Sequence, residues 1–418
     1  MNTTQKAALR VQQDRSDAIR SFVKKVYIYV VLLVIVAIFS MVKFEEVGLF
    51  GRGAFLSSTS IINLLRSAVP VLTVSGAFTL LMISGYIDLS VGSAMSLSAV
   101  VFALMILNGF SFLPAFALTL VLGVVMGTIN GALVMKLRIT PVIATLVTLN
   151  VFKGAALLVV PDGTSAIKST AAQKMPAFIN HYARQDVLLG LPWAFYVAIG
   201  IIIVLAVVQR KTILGKYAAA IGGNPTAAQL SGISAVKYVW ILYIIVGFFA
   251  AAAGVARASY MSLGDPLSGD GMELNCLIAV LLGGTAFSGG EGSVLKTAVG
   301  ALIIICVTTG LMTVIPSYWQ NVAKGGVMLF AVVLIAGLLA GYEYLQMMRT
   351  RDLAPSYVFT LGMIAFFMVD AQWPQWGLLP VGVLWIPLLA LVTEIWHGNA
   401  PNSLVNWALA VAGGIYIG

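Results

Sequence analysis

The strongest constraint on this chain is a repeated one: stretches of nearly unbroken apolar residues, most of them close to 20 long, recur ten times before residue 342. They occupy about 26–42, 66–84, 90–108, 114–135, 141–160, 193–209, 236–256, 273–288, 293–312 and 322–341. Coiled as an α-helix, such a run covers ~30 Å, the thickness of a bilayer's hydrocarbon core. Barrel strands would alternate apolar with polar residues over about ten positions. Composition agrees, since 60% of the residues are hydrophobic and 9% charged, whereas soluble domains carry roughly a quarter charged residues. The sequence therefore predicts an all-α polytopic membrane protein with a core of about ten helices. Apolar stretches near 355–370, 375–394 and 403–418 add up to three further C-terminal transmembrane helices. On this reading 1–25 is a cytoplasmic N-terminal segment, 26–341 the membrane core and 342–418 a hydrophobic C-terminal extension.

Charge sets the expected orientation. Arg10, Arg15, Arg20, Lys24 and Lys25 precede the first run, and no small-residue cleavage site follows it cleanly, so the first span is read as uncleaved with the N-terminus in the cytoplasm. The connections that then lie inside hold Lys136 and Arg138, then Arg210, Lys211, Lys216 and Lys237, then Lys296, then Arg349 and Arg351, which with the N-terminal group is most of the 24 Lys and Arg. The net charge of +9 is dispersed, with no run of five basic residues, so no nucleic-acid partner is expected and the lipid bilayer is the surrounding medium. Cys276, Cys306, His181 and His397 are too isolated to form a redox pair or a metal site. Trp373 and Trp376, flanking Pro374, suit anchoring at the headgroup level.

Three interruptions of the apolar pattern carry most of the information. In GYIDLSVGS, 85–93, Asp88 is a carboxylate at membrane depth that must pair, reach an interface or change protonation. Gly85 and Gly92 permit a tight turn or a broken helix, and Ser90 and Ser93 can cap the helix that follows. Two readings stay open, a plain cytoplasmic turn or a gate or partner-facing pocket. GGTAFSGGEGS, 283–293, holds five glycines, among them Gly283 and Gly284, and Glu291. Each glycine inside a helix costs about 1 kcal/mol relative to alanine, so this segment reads as a close turn. The stretch 209–235 predicts a short helix ending at Gly222-Gly223-Asn224-Pro225 and a second from Thr226 to Leu230, a compact element suited to packing in a groove of a soluble partner. Within the spans, Thr145, Thr148, Asn150 and Asn275 either bond between helices or line a pathway, and Lys153 must snorkel or find an acceptor. There is no GxxxxGK[ST] phosphate cradle, and no paired-carboxylate, Ser-His-Asp or metal cluster marks an enzyme.

These interruptions, together with ITPVIATLVTLNVFKGAALLV at 139–159, GKYAAAIGGNPTAAQLSGI at 215–233 and SYWQNVAKGGVMLFAVV at 317–333, resemble the membrane permease of ribose, xylose and galactose-type ABC sugar importers, related to branched-chain amino-acid permeases. The resemblance spans about 280 residues. It implies a core of roughly ten helices and a second permease subunit, expected as a homodimer. It also implies two cytoplasmic ATP-binding subunits that hold ATP and Mg, a periplasmic sugar-binding protein, and a place in the bacterial inner membrane. The chain itself would bind no cofactor and hydrolyse nothing. The resemblance assigns coupling to the ATPase to Lys216, Tyr217, Gly222, Gly223, Asn224 and Gln229, and gate architecture to Gly85, Asp88, Ser90, Gly92, Gly283, Gly284 and Glu291. Pathway-lining candidates are Thr145, Thr148, Asn150 and Asn275. A sugar alcohol, a sugar-derived signal or another small polar solute is the alternative cargo, and an ion-coupled secondary transporter the alternative class. The extension past 341 has no role in the resemblance.

Overall fold

The computed structural model describes residues 57–160, 167–168, 182–183, 190–314, 356–372, 379–396 and 403–417, with scattered helical positions between 28 and 40. About half of the first expected span, all of the tenth and most of the long connection at 161–192 lie outside the described residues.

The described helices are α1 (Ser58–Ile83), α2 (Val91–Leu107), α3 (Phe112–Met135), α4 (Pro141–Val159), α5 (Trp193–Lys211), α6 (Ile213–Gly223), α7 (Pro225–Leu230), α8 (Ala235–Met261), α9 (Met272–Leu282) and α10 (Val294–Val314). A separate compact unit holds α11 (Tyr357–Gln372), α12 (Leu379–Trp396) and α13 (Ser403–Ile417). Among the described residues one antiparallel pairing, β1 (Ile167–Lys168) with β2 (Leu263–Gly264), ties the long connection to the end of α8. By length and composition α1, α3, α4, α5 and α8 are long and apolar enough to cross a membrane, while α2, α9 and the described part of α10 are shorter apolar helices. The fold is all-α and multi-pass.

Two helices form the centre. α8 packs on α1, α2 and α3, while α1 also meets α5, α9 and α10. In lipid no water drives helices together, so close backbone approach and van der Waals contact must do it, and small residues mark the contacts. Gly123, Gly127 and Gly131, four residues apart, form one stripe of α3. A methyl group on Gly127 would overlap the Tyr243 carbonyl of α8, one on Gly131 the Trp240 ring, and one on Gly123 would come within 2.6 Å of the Ala251 Cβ. Gly254 sits equally tightly against Met95 and Ser98 of α2. Gly154 of α4 has nothing within 4 Å of such a methyl group.

The expected span at 273–288 departs from the sequence reading. Its helix is only α9, 11 residues long, because Gly283 and Gly284 end it. The chain reaches α9 by descending beside α2: Gly264 lies against Val100 and Ala103, and Gly269 against Gly92. That descent is ~12 Å at 1.5 Å per helical residue. α9 is thus a half-helix that starts at membrane depth.

In the second unit α11, α12 and α13 pack on one another. The Trp407 indole N–H donates to the Pro387 carbonyl at 2.9 Å, and the Thr360 hydroxyl to the Ala410 carbonyl at 3.2 Å.

Gly127→Leu should destabilise the folded chain by at least the about 1–3 kcal/mol typical of overpacking, read as a lowered melting temperature in detergent. Gly154→Ala, inside α4 with open space around it, should instead raise stability by up to about 1 kcal/mol, the helix-propensity gain over glycine.

Candidate functional site: a glycine junction beneath a paired short-helix element

α6 and α7 follow α5 after a one-residue turn at Thr212. Gly215, Ala218 and Ile221 are the buried positions of α6, spaced three apart, so one face of the helix lies on the membrane body. Asn224 breaks the helix and caps the next one: its Oδ1 accepts the Ala227 N–H at 2.9 Å, and Pro225 stands at the first helical position, where the missing N–H costs nothing. Asn224 is therefore occupied as a cap. Lys216, Gly223 and Gln229 are exposed, as is Leu230 at 85%. Half-buried Tyr217 meets Tyr238 of α8 edge to face, with centroids 4.7 Å apart.

The inner end of this element meets two of the other interruptions. The Gly290 N–H donates to the Ile83 carbonyl at the last turn of α1, 2.7 Å away. A methyl group on Gly222 would overlap that carbonyl and come within 2.5 Å of the Gly290 nitrogen. One on Gly289 would lie 2.7 Å from the Gly85 nitrogen and 3.0 Å from the Gly222 Cα. Gly85, Gly289 and Gly290 have φ of +84°, +86° and +85°, where only glycine is unstrained. Three segments distant in sequence thus touch backbone to backbone. Gly223 differs from its neighbour, with nothing within 4 Å of an added methyl group. Gly284, at φ +78°, turns the chain out of α9, and Gly283 packs against the Thr297 backbone of α10. Glu291 is exposed. A cavity of about 480 Å³ opens between α6 and this turn, with Lys216, Glu291 and Lys296 among its walls.

A residue not singled out from sequence holds the turn. Gln209, near the end of α5, donates to the Gly292 carbonyl at 2.8 Å and accepts the Val294 N–H at 2.9 Å. It therefore caps α10 from another helix. Its only sequence signal is a polar amide closing an apolar run beside Arg210 and Lys211.

Behind the junction Asp88 is 2% exposed and fully engaged. Oδ1 accepts the Ser90 N–H at 2.8 Å and the Ser90 hydroxyl at 2.7 Å, and Oδ2 accepts the Asn130 amide of α3 at 3.0 Å. Asn130 also donates to the Ser90 hydroxyl at 2.7 Å, and the Tyr243 hydroxyl donates to the Ile87 carbonyl at 2.9 Å. The Ser90 hydroxyl is thus spent on Asp88, and no side chain caps α2. Gly92 is in the first turn of α2, where its role is close approach: a methyl group there would overlap the Gly269 carbonyl and the Glu273 carboxylate.

Of the remaining candidates, Thr145 and Thr148 are buried, their hydroxyls donating to carbonyls one turn back in α4. Asn150 is exposed on α4 and donates to the Leu146 carbonyl at 2.9 Å. Asn275 is half-buried in the first turn of α9.

Residues 60–332 match the family model described as the branched-chain amino acid transport system / permease component. The chain belongs to this family of membrane permease components. It is 34% identical over 282 residues to the ribose import permease protein RbsC of Bacillus subtilis, a match covering 67% of this chain and 86% of the relative. It is 32% identical over 309 residues to the D-allose transport system permease protein AlsC of Escherichia coli, covering 73% and 90%. It is 31% identical over 332 residues to the galactose/methyl galactoside import permease protein MglC of Salmonella typhimurium, covering 75% and 94%. No solved structure matches. The family match ends before α11, α12 and α13.

Two substitutions separate the roles. Asp88→Ala should leave the Asn130 amide and Ser90 N–H without their acceptor, costing about 1–3 kcal/mol each and lowering the yield of monodisperse protein in detergent. Gly222→Ala should disrupt the junction, increasing proteolysis at 283–293.

Proposed function

We propose that this chain is the non-hydrolysing membrane subunit of an ATP-driven importer that passes a monosaccharide across the bacterial inner membrane. It pairs with a second copy, is driven by two cytoplasmic ATP-binding subunits that hold ATP and Mg, and receives its cargo from a periplasmic sugar-binding protein. The N-terminus and the junction face lie in the cytoplasm, where Lys136, Arg210, Lys211 and Lys216 cluster at helix ends. The chain's similarity to ribose, allose and galactose permeases supports a sugar as cargo.

One observation carries this reading: the α6–α7 element is locked on its inner side, through Gly222, to both α1 and the 283–293 turn, while its outer side is bare. A short element with a rigid attachment and an exposed tip is built to take a push. The ATPases close on ATP, and Lys216, Tyr217, Gly223, Asn224 and Gln229 form the contact that feels it. Gly222 passes the displacement to Ile83 and Gly290, and thereby to α1, α9 and α10. Closure drives this movement only if the ATPases bind one permease conformation more tightly than the other. Gly85, Asp88, Ser90, Gly92, Gly283, Gly284 and Glu291 form the architecture that moves, and Thr145, Thr148, Asn150 and Asn275 belong to the helices that border the pathway. The core runs from 26 to 341, and 342–418 is an extension outside it.

Reconstitution in proteoliposomes with ATPase and receptor subunits tests this directly. ATP-dependent monosaccharide uptake is expected. Gradient-driven uptake by the chain alone, or polyol uptake with sugars excluded, would overturn the assignment. Gly223→Phe should insert and fold normally, because that position is open, yet weaken the coupling of ATP hydrolysis to uptake.

A further inference from the structure

Asp270 lies in the irregular segment 262–271, at the depth where Gly269 abuts Gly92 and donates its N–H to the Ser96 hydroxyl at 2.8 Å. Ser96 is 11 residues below the outer end of α2, a depth of ~16 Å. The Asp270 carboxylate accepts from the Lys153 ammonium of α4 at 2.7 Å, closing an ion pair between two elements that are otherwise unconnected in sequence. Both partners remain accessible, at 33% for Lys153 and 49% for Asp270. Asn150, one turn before Lys153 on the same side of α4, is exposed as well. Glu273, which accepts the Gly271 N–H at 3.2 Å, stands two residues into α9.

Irregular backbone and ionised side chains at membrane depth cannot face lipid, because the hydrocarbon offers no partner for their polar groups. They must face a second copy of the chain or a water-filled passage. The Asn150 side chain, its amide N–H donating to the Leu146 carbonyl and its group exposed on the same side, extends the polar strip in one direction.

We infer that the Lys153–Asp270 pair is a specificity-determining crossbar of the sugar pathway, contacting the hydroxyl groups of the passing cargo. This rests on the importer reading above. A sugar hydroxyl is both donor and acceptor, so it fits between the two: it donates to the Asp270 carboxylate and accepts from the Lys153 ammonium. Accessible ion pairs add little net stability, so the crossbar parts readily and holds cargo weakly, as passage requires. Neighbouring hydroxyls reach Asn150 and Glu273 in the same way. A substrate lacking the hydroxyl leaves the opened charges without a substitute partner.

The test uses the assembled complex with ATPases and receptor in proteoliposomes, comparing uptake of a monosaccharide and its deoxy analogues. Asp270→Asn and Lys153→Met should each lower sugar uptake per ATP hydrolysed by about ten- to hundredfold, the worth of a hydrogen bond to a charged group. They should also shrink the preference for the sugar over a deoxy analogue, a change that a purely structural tie would not produce. Exchanging the charges, Lys153→Asp with Asp270→Lys, should restore part of both. If the unaltered complex takes up no sugar, the importer reading fails and the inference with it. If it does, and both single variants keep uptake and preference unchanged, the inference alone fails. A second measurement does not depend on transport by those variants. Asn150→Cys should react with a membrane-impermeant maleimide, and monosaccharide should slow the reaction, against a background of buried Cys276 and Cys306. Absence of labelling in every nucleotide state would overturn the proposal.

Discussion

One hydrogen bond organises the junction at the end of α1 in the permease body: the Gly290 N–H on the Ile83 carbonyl, 2.7 Å long, made with Gly222 pressed against both. A carbonyl at the end of a helix has no partner within that helix, and at a membrane boundary it must find one elsewhere. Here it is found in a different span. The Leu81 and Met82 carbonyls are met by the turn that follows α1, but the Ile83 carbonyl is met only while the 283–293 turn is in place, and the absence of side chains at the glycines is what allows the contact. A side-chain bond, from the Thr79 hydroxyl to that of Thr297 at 2.9 Å, also joins α1 to α10.

Asp88 shows how a carboxyl group is held at depth by satisfying its oxygens. Its two oxygens take three donors, two from Ser90 and one from Asn130, which turns a costly group into a staple between the α1–α2 break and α3. A carboxylate so engaged has little left to offer a solute. Asp270 presents the contrast, paired with Lys153 and with half its surface accessible. Burial and satisfaction, rather than residue type, separate the structural carboxylate from the one offered to the pathway.

Much of this was legible beforehand, and the exceptions are physical. α4 begins at Pro141 and ends at Val159 against an expected 141–160, because proline marks the start and a polar stretch the end. The α6–α7 element is also where the GGNP break puts it, since Asn224 and Pro225 are strong punctuation. For α9 two sequence signals disagreed: hydropathy extended the span to 288, while the glycines of 283–293 read as a turn, and the helix ends at Leu282 as the glycines indicate. That the helix also starts late, after an irregular descent, was not legible. Nor was the meeting of Gly92 with Gly269, or the pairing of Lys153 with Asp270. These depend on how the chain folds back, and local pattern carries no record of it. Gln209 escaped for the same reason: its function lies in the turn it holds rather than in its own helix.

Gln209 has a last implication. It grips Gly292 and Val294 from the end of α5, and α6 begins only one residue after α5 ends. The short element and the turn beneath it are thus pinned twice, once through Gly222 and once through the amide. A linkage fastened at two points has no backlash: a small displacement applied at its tip is delivered to the spans without first being absorbed in slack.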